Sequence, residues 1–396
     1  MPTTLGTQLA GYRRQRGISQ RALAETAGVS VDLVRKLEQG QRHTARLDNV
    51  AALAHALDIS PAELLGKPRG LAAGAEDGEV GAIRRAILGL TAPTAGDLPT
   101  WAAMSDATAD VWRLYWAGRY AELARVLPDR IGQARAFTSA DGDTRAAWTV
   151  LAELLQVTAS LLAHLAHEDL AHLALIEAGR AAQGADDPLL LATMQATRSW
   201  VLSRQGLWAE AEHVAMAAAT DVEPVMSRAS VDEVAVWGEL LRYGCTAVAR
   251  SGRQAEAQEI LGLVNAAAGR MGLDQRTRYV GKSFGPTVAA MKAVDVAIAA
   301  DKPRHAIKLA ERVDNPAAAP TAMHARYLLN VAWAQMTDWR SQDAVDTLRR
   351  VEQLAPEMLP HQSIARAIVA ELLPRRHKQR LPGLASLADR IGVGSQ

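Results

Sequence analysis

The chain has 396 residues, too many for one ordinary core, so two or more domains are expected. Ala and Leu dominate while two Phe and six Tyr stand against nine Trp, a composition that suits an all-α fold because Ala and Leu lose little freedom in helices. The single cysteine, Cys245, excludes an intrachain disulfide and the cysteine-rich zinc patterns, and the net charge of +1 argues neither for nor against a polyanionic partner.

The distribution of charge says more than its sum. Residues 1–70 hold ten Lys/Arg against six Asp/Glu, which leaves +4 on this end and −3 on the remainder. An electropositive end on a slightly acidic body is what phosphate binding by one module requires. The first residues lack the apolar core of a signal peptide, and no apolar run approaches the roughly 18 residues of a membrane span. A soluble protein of a reducing cytoplasm, with no membrane partner, is therefore expected.

A first helix is predicted from about Leu5 to Arg16, with Leu9 and Tyr12 inward, Arg13, Arg14 and Arg16 outward, and Gly17 at its end. Ser19 is a good N-cap for a second helix whose apolar face is Leu23, Ala24 and Ala27. Gly28 supplies the positive φ of a turn, and Ser30 caps a third helix. In that helix Leu33, Val34 and Leu37 point inward at helical spacing, while Val31, Asp32, Arg35 and Lys36 point outward. Gly40 closes it, and Thr44 or Ala45 opens a fourth helix with Leu47, Val50, Leu53, Ala54 and Leu57 facing the core. Ser60 to Glu63 then reads as a capping box with Pro61 at the first helical position. Five helices make residues 1–67 one domain.

Within that domain Ser19 to Ala24 spell S-Q-x-x-L-A, residues 28–30 G-V-S, residues 37–40 L-E-x-G, and Leu53 to Leu65 L-x-x-A-L-x-I-S-P-A-E-L-L. The run from Leu9 to Leu65 resembles the Cro/phage-repressor (XRE) helix-turn-helix family. The resemblance implies double-stranded DNA as partner, with the third helix in the major groove. It implies that Gln20 contacts a backbone phosphate, that Ser30, Val31, Asp32 and Lys36 face base edges, and that Arg35 and Arg42 make phosphate or base contacts. Val31 and Asp32 stand where phage repressors carry amide side chains; Val31 suits a thymine methyl and Asp32 suits cytosine N4. Ordinary solvated charge is the alternative for Arg13, Arg14 and Arg42 taken singly.

From residue 68 to 100 the composition shifts to Gly, Pro, Ala and an acidic patch at 76–79, a linker interrupted by a helix from about Val80 to Leu90 with Ile83, Ile87 and Leu88 apolar. That helix equally suits part of a dimer contact. Beyond Trp101, helical segments end at small or polar turns and resume with Ala or Leu, at Gly118 to Tyr120, His167 to Asp169, Gly206 to Trp208, Gly252 to Gln254, Asp301 to Pro303 and Thr337 to Trp339. Six hinges imply about a dozen helices in antiparallel pairs over 101–396, spaced 49, 39, 46, 49 and 36 residues apart from Tyr120 onward. A last helix, Leu381 to Ile391, is expected to cap the stack, after a basic run at Arg375 to Lys378 that suits a solvated turn.

The G-x-W/Y-x-E-A hinges, clearest at Gly206 to Ala211, are similar to the tetratricopeptide repeat, with a longer and less regular period than that family's 34 residues. The expected body is a tetratricopeptide-like α-solenoid whose concave groove binds a small molecule or a short peptide. Aligning the hinges places Trp112, Tyr115, Trp116, Trp200, Arg204, Arg242, Thr246, Asp295, His324 and Tyr327 toward that groove, with core packing the alternative for each aromatic. Arg242 is the strongest of these, since burying its charge without a partner is costly. An XRE head on such a body resembles the peptide-sensing quorum regulators of Gram-positive bacteria and the regulators of this type in actinobacteria, the Ala/Arg-rich composition favouring the latter. The resemblance implies a homodimer on a roughly palindromic operator, with an effector in the repeats shifting DNA affinity. A protein-interaction adaptor with the head as a weak DNA tether is the alternative.

No P-loop, dinucleotide fingerprint or nucleophile elbow occurs, so no catalytic residue, cofactor or enzymatic activity is expected. His164, His167, Glu168 and His172 lack the H-E-x-x-H spacing that sets two imidazoles on one helix face, which reads as a polar helix end rather than a metal site. Cys245, with no His or Asn nearby in sequence, reads as a small buried residue.

Overall fold

The fold is a computed structural model that describes residues 5–42, 45, 47–57, 59, 61–65, 78–91, 99–138, 144–279, 283–375 and 380–393. Five helices form the head: α1 (Leu5–Gln15), α2 (Gln20–Thr26), α3 (Val31–Glu38), α4 (Leu47–Ala56) and α5 (Pro61–Leu64). Their ends lie where the caps direct. Ser19 Oγ accepts from the Ala22 amide at 3.0 Å and Ser30 Oγ from the Leu33 amide at 3.2 Å, satisfying N–H groups that have no partner inside α2 and α3. Between them Gly28 takes φ 63°, the left-handed turn that lets α3 fold back on α2. Leu9, Leu23, Leu33, Val34, Leu37, Val50, Leu53, Leu57 and Leu64 meet in one small core. Thr44, Ser60, and the side chains of Leu47 and Glu63, which entered the sequence reading, lie outside the described residues.

Arg13 is a correction. Helical periodicity points it outward, yet its Nε and Nη2 donate to the Glu38 carboxylate at 2.6 and 2.8 Å and its Nη1 donates to the Ile18 carbonyl at 2.9 Å. With side chains only 14% and 5% exposed, the pair ties α1 to the end of α3. A bidentate guanidinium–carboxylate contact repays the loss of water that a lone buried cation would not.

The linking helix α6 (Glu79–Ile87) belongs to the body: Val80, Ile83, Ala86 and Ile87 enter its core against α8, and Arg135 donates to the Ile87 carbonyl at 2.6 Å. The body is six antiparallel hairpins. They are α7 (Trp101–Ala117) with α8 (Tyr120–Thr138), α9 (Thr144–His164) with α10 (Glu168–Gly184), α11 (Pro188–Gln205) with α12 (Trp208–Asp221), α13 (Val231–Arg250) with α14 (Gln254–Met271), α15 (Pro286–Ala299) with α16 (Pro303–Ala310), and α17 (Thr321–Thr337) with α18 (Ser341–Leu354). Five of the six expected hinges carry a left-handed residue, Gly118, Gly206, Gly252, Asp301 and Trp339, and at the sixth it is Ala166, one residue before the expected His167.

The first helices of the hairpins pack in sequence, α7 on α9, α9 on α11, α11 on α13, α13 on α15 and α15 on α17, and α17 returns to α7. The stack thus closes on itself, and the groove expected of an open solenoid becomes the interior of a ring. Closure is sealed where Glu357 accepts from the Ala121 amide at 3.0 Å and where His164 meets Gln362 at 3.3 Å. α19 (Ser363–Arg375) and α20 (Leu384–Ile391) finish the stack; the sequence reading did not anticipate α19, and residues 376–378 of the basic run lie outside the described residues.

A two-residue antiparallel pair, β1 (Gln275–Arg276) and β2 (Ser283–Phe284), is inserted before α15. It delivers the Phe284 ring onto α13 at Gly238, where a Cβ would stand 2.2 Å from the ring. One stretch, Arg145–His164 in α9, is long and apolar enough to cross a membrane, contrary to the sequence reading, but 78% of it is buried inside the body. It is apolar because helices pack on it from several sides: α7, α8, α10 and α11.

Candidate nucleic-acid interface and ligand cavity

The exposed face of α3 is short and charged. Val31 is 42% exposed at its start, and Asp32 beside it pairs with two cations one turn on, 2.6 Å from Arg35 and 2.6 Å from Lys36. The hydrogen bonds from Lys36 and Arg35 hold the Asp32 carboxyl below the ordinary range. One anion thus masks both cations that a polyanion would attract. Asp32→Asn should steepen the salt dependence of binding to random duplex DNA by about one unit of log–log slope, read by fluorescence titration; an unchanged slope would show that Arg35 and Lys36 already reach phosphates past Asp32.

Inside the ring, α11, α13, α15 and α17 together with Gln362 and Ile364 enclose a cavity of about 230 Å³. Arg242 crosses its wall and donates to Glu239 from Nε and Nη2, the latter at 2.7 Å, with its guanidinium 4.2 Å from the Tyr243 ring. Burial lowers the Arg242 pKa, but the Glu239 charge outweighs that and the net shift is upward. On α15 Lys292 donates to Thr246 and, at 2.6 Å, to Asp295. Asp295 also accepts from Arg250 at 3.0 Å. Burial alone would raise the Asp295 pKa, but Lys292 and Arg250 hold it below the ordinary range. Arg250 then leaves the body: its Nη1 lies 3.5 Å from Asp48 on α4 of the head. Nearby, the hinge at Gly206 lies against Ala51 and Pro61, where an added Cβ would come within 3.0 Å of Ala51.

Behind the cavity lies an aromatic layer. His164 stacks on Tyr120 with centroids 5.0 Å apart and lies 5.1 Å from Trp200, while Tyr115 packs edge-on to Trp116 at 4.8 Å. Arg326, in the cavity wall, lies 5.7 Å from the Trp116 ring and 5.8 Å from Trp200, and Arg204 lies 5.3 Å from Trp200.

A helix-turn-helix domain family matches residues 4–65. The head is a helix-turn-helix domain. Its match, with the caps of α2 and α3 and the left-handed Gly28 between them, makes it the DNA-binding domain of a regulator, and α3 the second helix of the motif. No curated protein matches the chain.

Of the residues the sequence singled out on the head, Val31, Asp32, Arg35 and Lys36 share the outer face of α3, Arg42 is exposed just beyond it, and Ser30 spends its hydroxyl on the cap. Gln20 stands apart in use: its amide donates to Glu38 at 2.8 Å, so reaching a phosphate requires leaving that carboxylate. In the body Trp200, Arg242, Thr246, Asp295 and Tyr327 line the cavity. Tyr115, Trp116 and Arg204 form the layer behind it; Trp112 is buried among them, and His324 packs beside Tyr327 with centroids 6.4 Å apart. Lys292 and Arg326 were missed. Each is visible only by extending the hinge alignment, Lys292 one turn before Asp295 and Arg326 next to Tyr327.

The histidine cluster does not converge. His164 turns to Tyr115 and Gln362, and His172 to Gln205 at 2.8 Å, and no group of three potential ligands gathers among the described residues. Cys245 is buried, its thiol donating to the Ala257 carbonyl at 3.3 Å, and burial raises its pKa to about 11.

Proposed function

We propose that the chain is a sequence-specific, DNA-binding transcriptional regulator acting as a homodimer on a roughly palindromic operator, with an effector in the ring cavity setting operator affinity. The effector is a small molecule or a short peptide, and the chain binds rather than catalyses. The ring is read as a tetratricopeptide-like array of the kind found in actinobacterial regulators. The observation that carries effector control is the run of ion pairs from cavity to head: Lys292 and Arg250 share Asp295, and Arg250 reaches Asp48. α4, which bears Asp48, packs on α2. A ligand that draws Lys292 or Asp295 out of this run changes what holds the head, and a small turn of each head matters because two half-sites must lie about one helical turn apart.

Genome-wide mapping of bound DNA tests the reading. Discrete sites sharing an inverted-repeat motif are expected; uniform, motif-free occupancy would favour the adaptor instead. The coupling itself is tested by Arg250→Gln, which lies in the body yet is expected to change operator affinity by about 0.5 to 2 kcal/mol. Unchanged affinity in a normally melting variant would show that the ion-pair run carries nothing to the head.

A further inference from the structure

The cavity holds more positive charge than its own residues neutralise. Arg242 has Glu239, and Lys292 and Arg250 have Asp295. Arg326 and Arg204, both half-buried near the Trp200 ring, have no carboxylate within ion-pairing distance among the described residues, and the Arg204 Nε has no hydrogen-bond partner there. The electrostatic company of Arg326 is the phenols of Tyr115, Tyr120 and Tyr243 and the like charge of Arg242. Burial pulls the Arg204 pKa down, and although the Glu168 charge opposes this and exceeds the repulsion from Arg326, the net shift stays downward. Holding guanidinium groups in a low-dielectric wall without a counter-ion is costly, and such a site rewards an anion that enters it.

We infer that the ring cavity takes a small organic anion, whose carboxylate or phosphate pairs with Arg326 and whose apolar body lies against Trp200, Tyr243, Met291 and Met323. The inference rests on the reading of the ring as an effector domain and narrows the effector to one charge class. A planar guanidinium in the wall suits a two-oxygen acid group, since it donates through two parallel N–H bonds. The indole and phenol faces beside it suit a flat or alkyl body. Arg204, near Trp200 but outside the cavity lining, adds attraction from behind the wall. A cavity of about 230 Å³ fits a small molecule better than a peptide of many residues.

The test uses the full chain without DNA, so that binding and control are read separately. Thermal melting is recorded with a panel of aromatic and alkyl carboxylates and their phosphate-monoester counterparts, 2-naphthoate and 2-naphthyl phosphate among them, each beside its neutral amide or alcohol. Anions are expected to raise the midpoint by roughly 2 °C or more at a hundredfold excess over Kd, and their neutral partners to leave it unmoved. The carboxylate and phosphate arms show which acid group fits. Arg326→Met should abolish the anion response while melting well above Arg242→Met, which strands Glu239 in the wall. Equal responses to acid and amide, no response anywhere in the panel, or an anion response that survives Arg326→Met would overturn the inference. An anion that binds in this way without altering operator affinity leaves the inference standing and removes effector control instead.

Discussion

Gly6→Val should cost the head its fold and with it DNA binding, while the ring melts as before. α1 crosses α3 at this glycine: a Cβ there would stand 1.9 Å from the Leu37 carbonyl oxygen, a backbone atom held by the Gly40 amide in the turn that closes α3. Overpacking against side chains costs about 1 to 3 kcal/mol and more where only backbone can yield. A domain of about 65 residues has a total stability on the order of 3 to 10 kcal/mol, so the substitution consumes much of it. Gly11, in the same helix, has nothing within 4 Å of a built Cβ. Gly11→Ala should therefore stabilise the head by about 0.5 to 1 kcal/mol through the unfolded chain. Melting followed by circular dichroism and limited proteolysis checks the pair. Equal effects of the two substitutions would show that α1 does not cross α3 as described.

Mild acid should loosen the ring before it affects the head. His164 and His361 are both buried at the closure, and burial pushes both below their ordinary value, with Arg204 adding repulsion to each. His361 falls to about 4, with Arg366 contributing, and for His164 Arg326 and His361 add to the effect. Between these values and the ordinary 6.5 the unfolded chain binds protons that the fold does not. Stability is therefore whole above about pH 6.5 and falls as the pH drops toward 4. His361 alone accounts for about 3 kcal/mol over that window, and His164 adds to it. Urea midpoints at pH 7.5, 6 and 5 are expected to fall steeply for the wild type and less for His361→Gln. Parallel loss in both would place the acid sensitivity elsewhere.

What was legible in the sequence is what is local. Ser19, Gly28, Ser30 and Gly40 act on residues within a turn of themselves, so the head's helices could be read from caps and spacing. The hinges are local too: five expected turns contain a left-handed residue and the sixth has one directly before it, at Ala166. Arg13 was misplaced because its partner, Glu38, lies 25 residues away, and the bond from Gln20 to the same carboxylate, across 18 residues, was invisible for the same reason. Ring closure was invisible for the same reason on a larger scale: His164 and Gln362 are 198 residues apart, and nothing in either helix records the other. The cavity followed closure. Residues chosen for an open groove divided between its wall and the layer behind, and Arg326, beside the chosen Tyr327, took the position facing Trp200. The Phe284 strand was too short to leave a period-two signal.

The central claim, that α3 reads a DNA sequence, is tested most directly by titrating the full chain and its Lys36→Ala variant against a labelled operator and a scrambled duplex at low and moderate salt. The expected result is tight, salt-dependent binding that prefers the operator, with Lys36→Ala losing about 1 to 3 kcal/mol on the operator. Equal affinity for operator and scrambled DNA, with Lys36→Ala indistinguishable from the wild type on both, would contradict it.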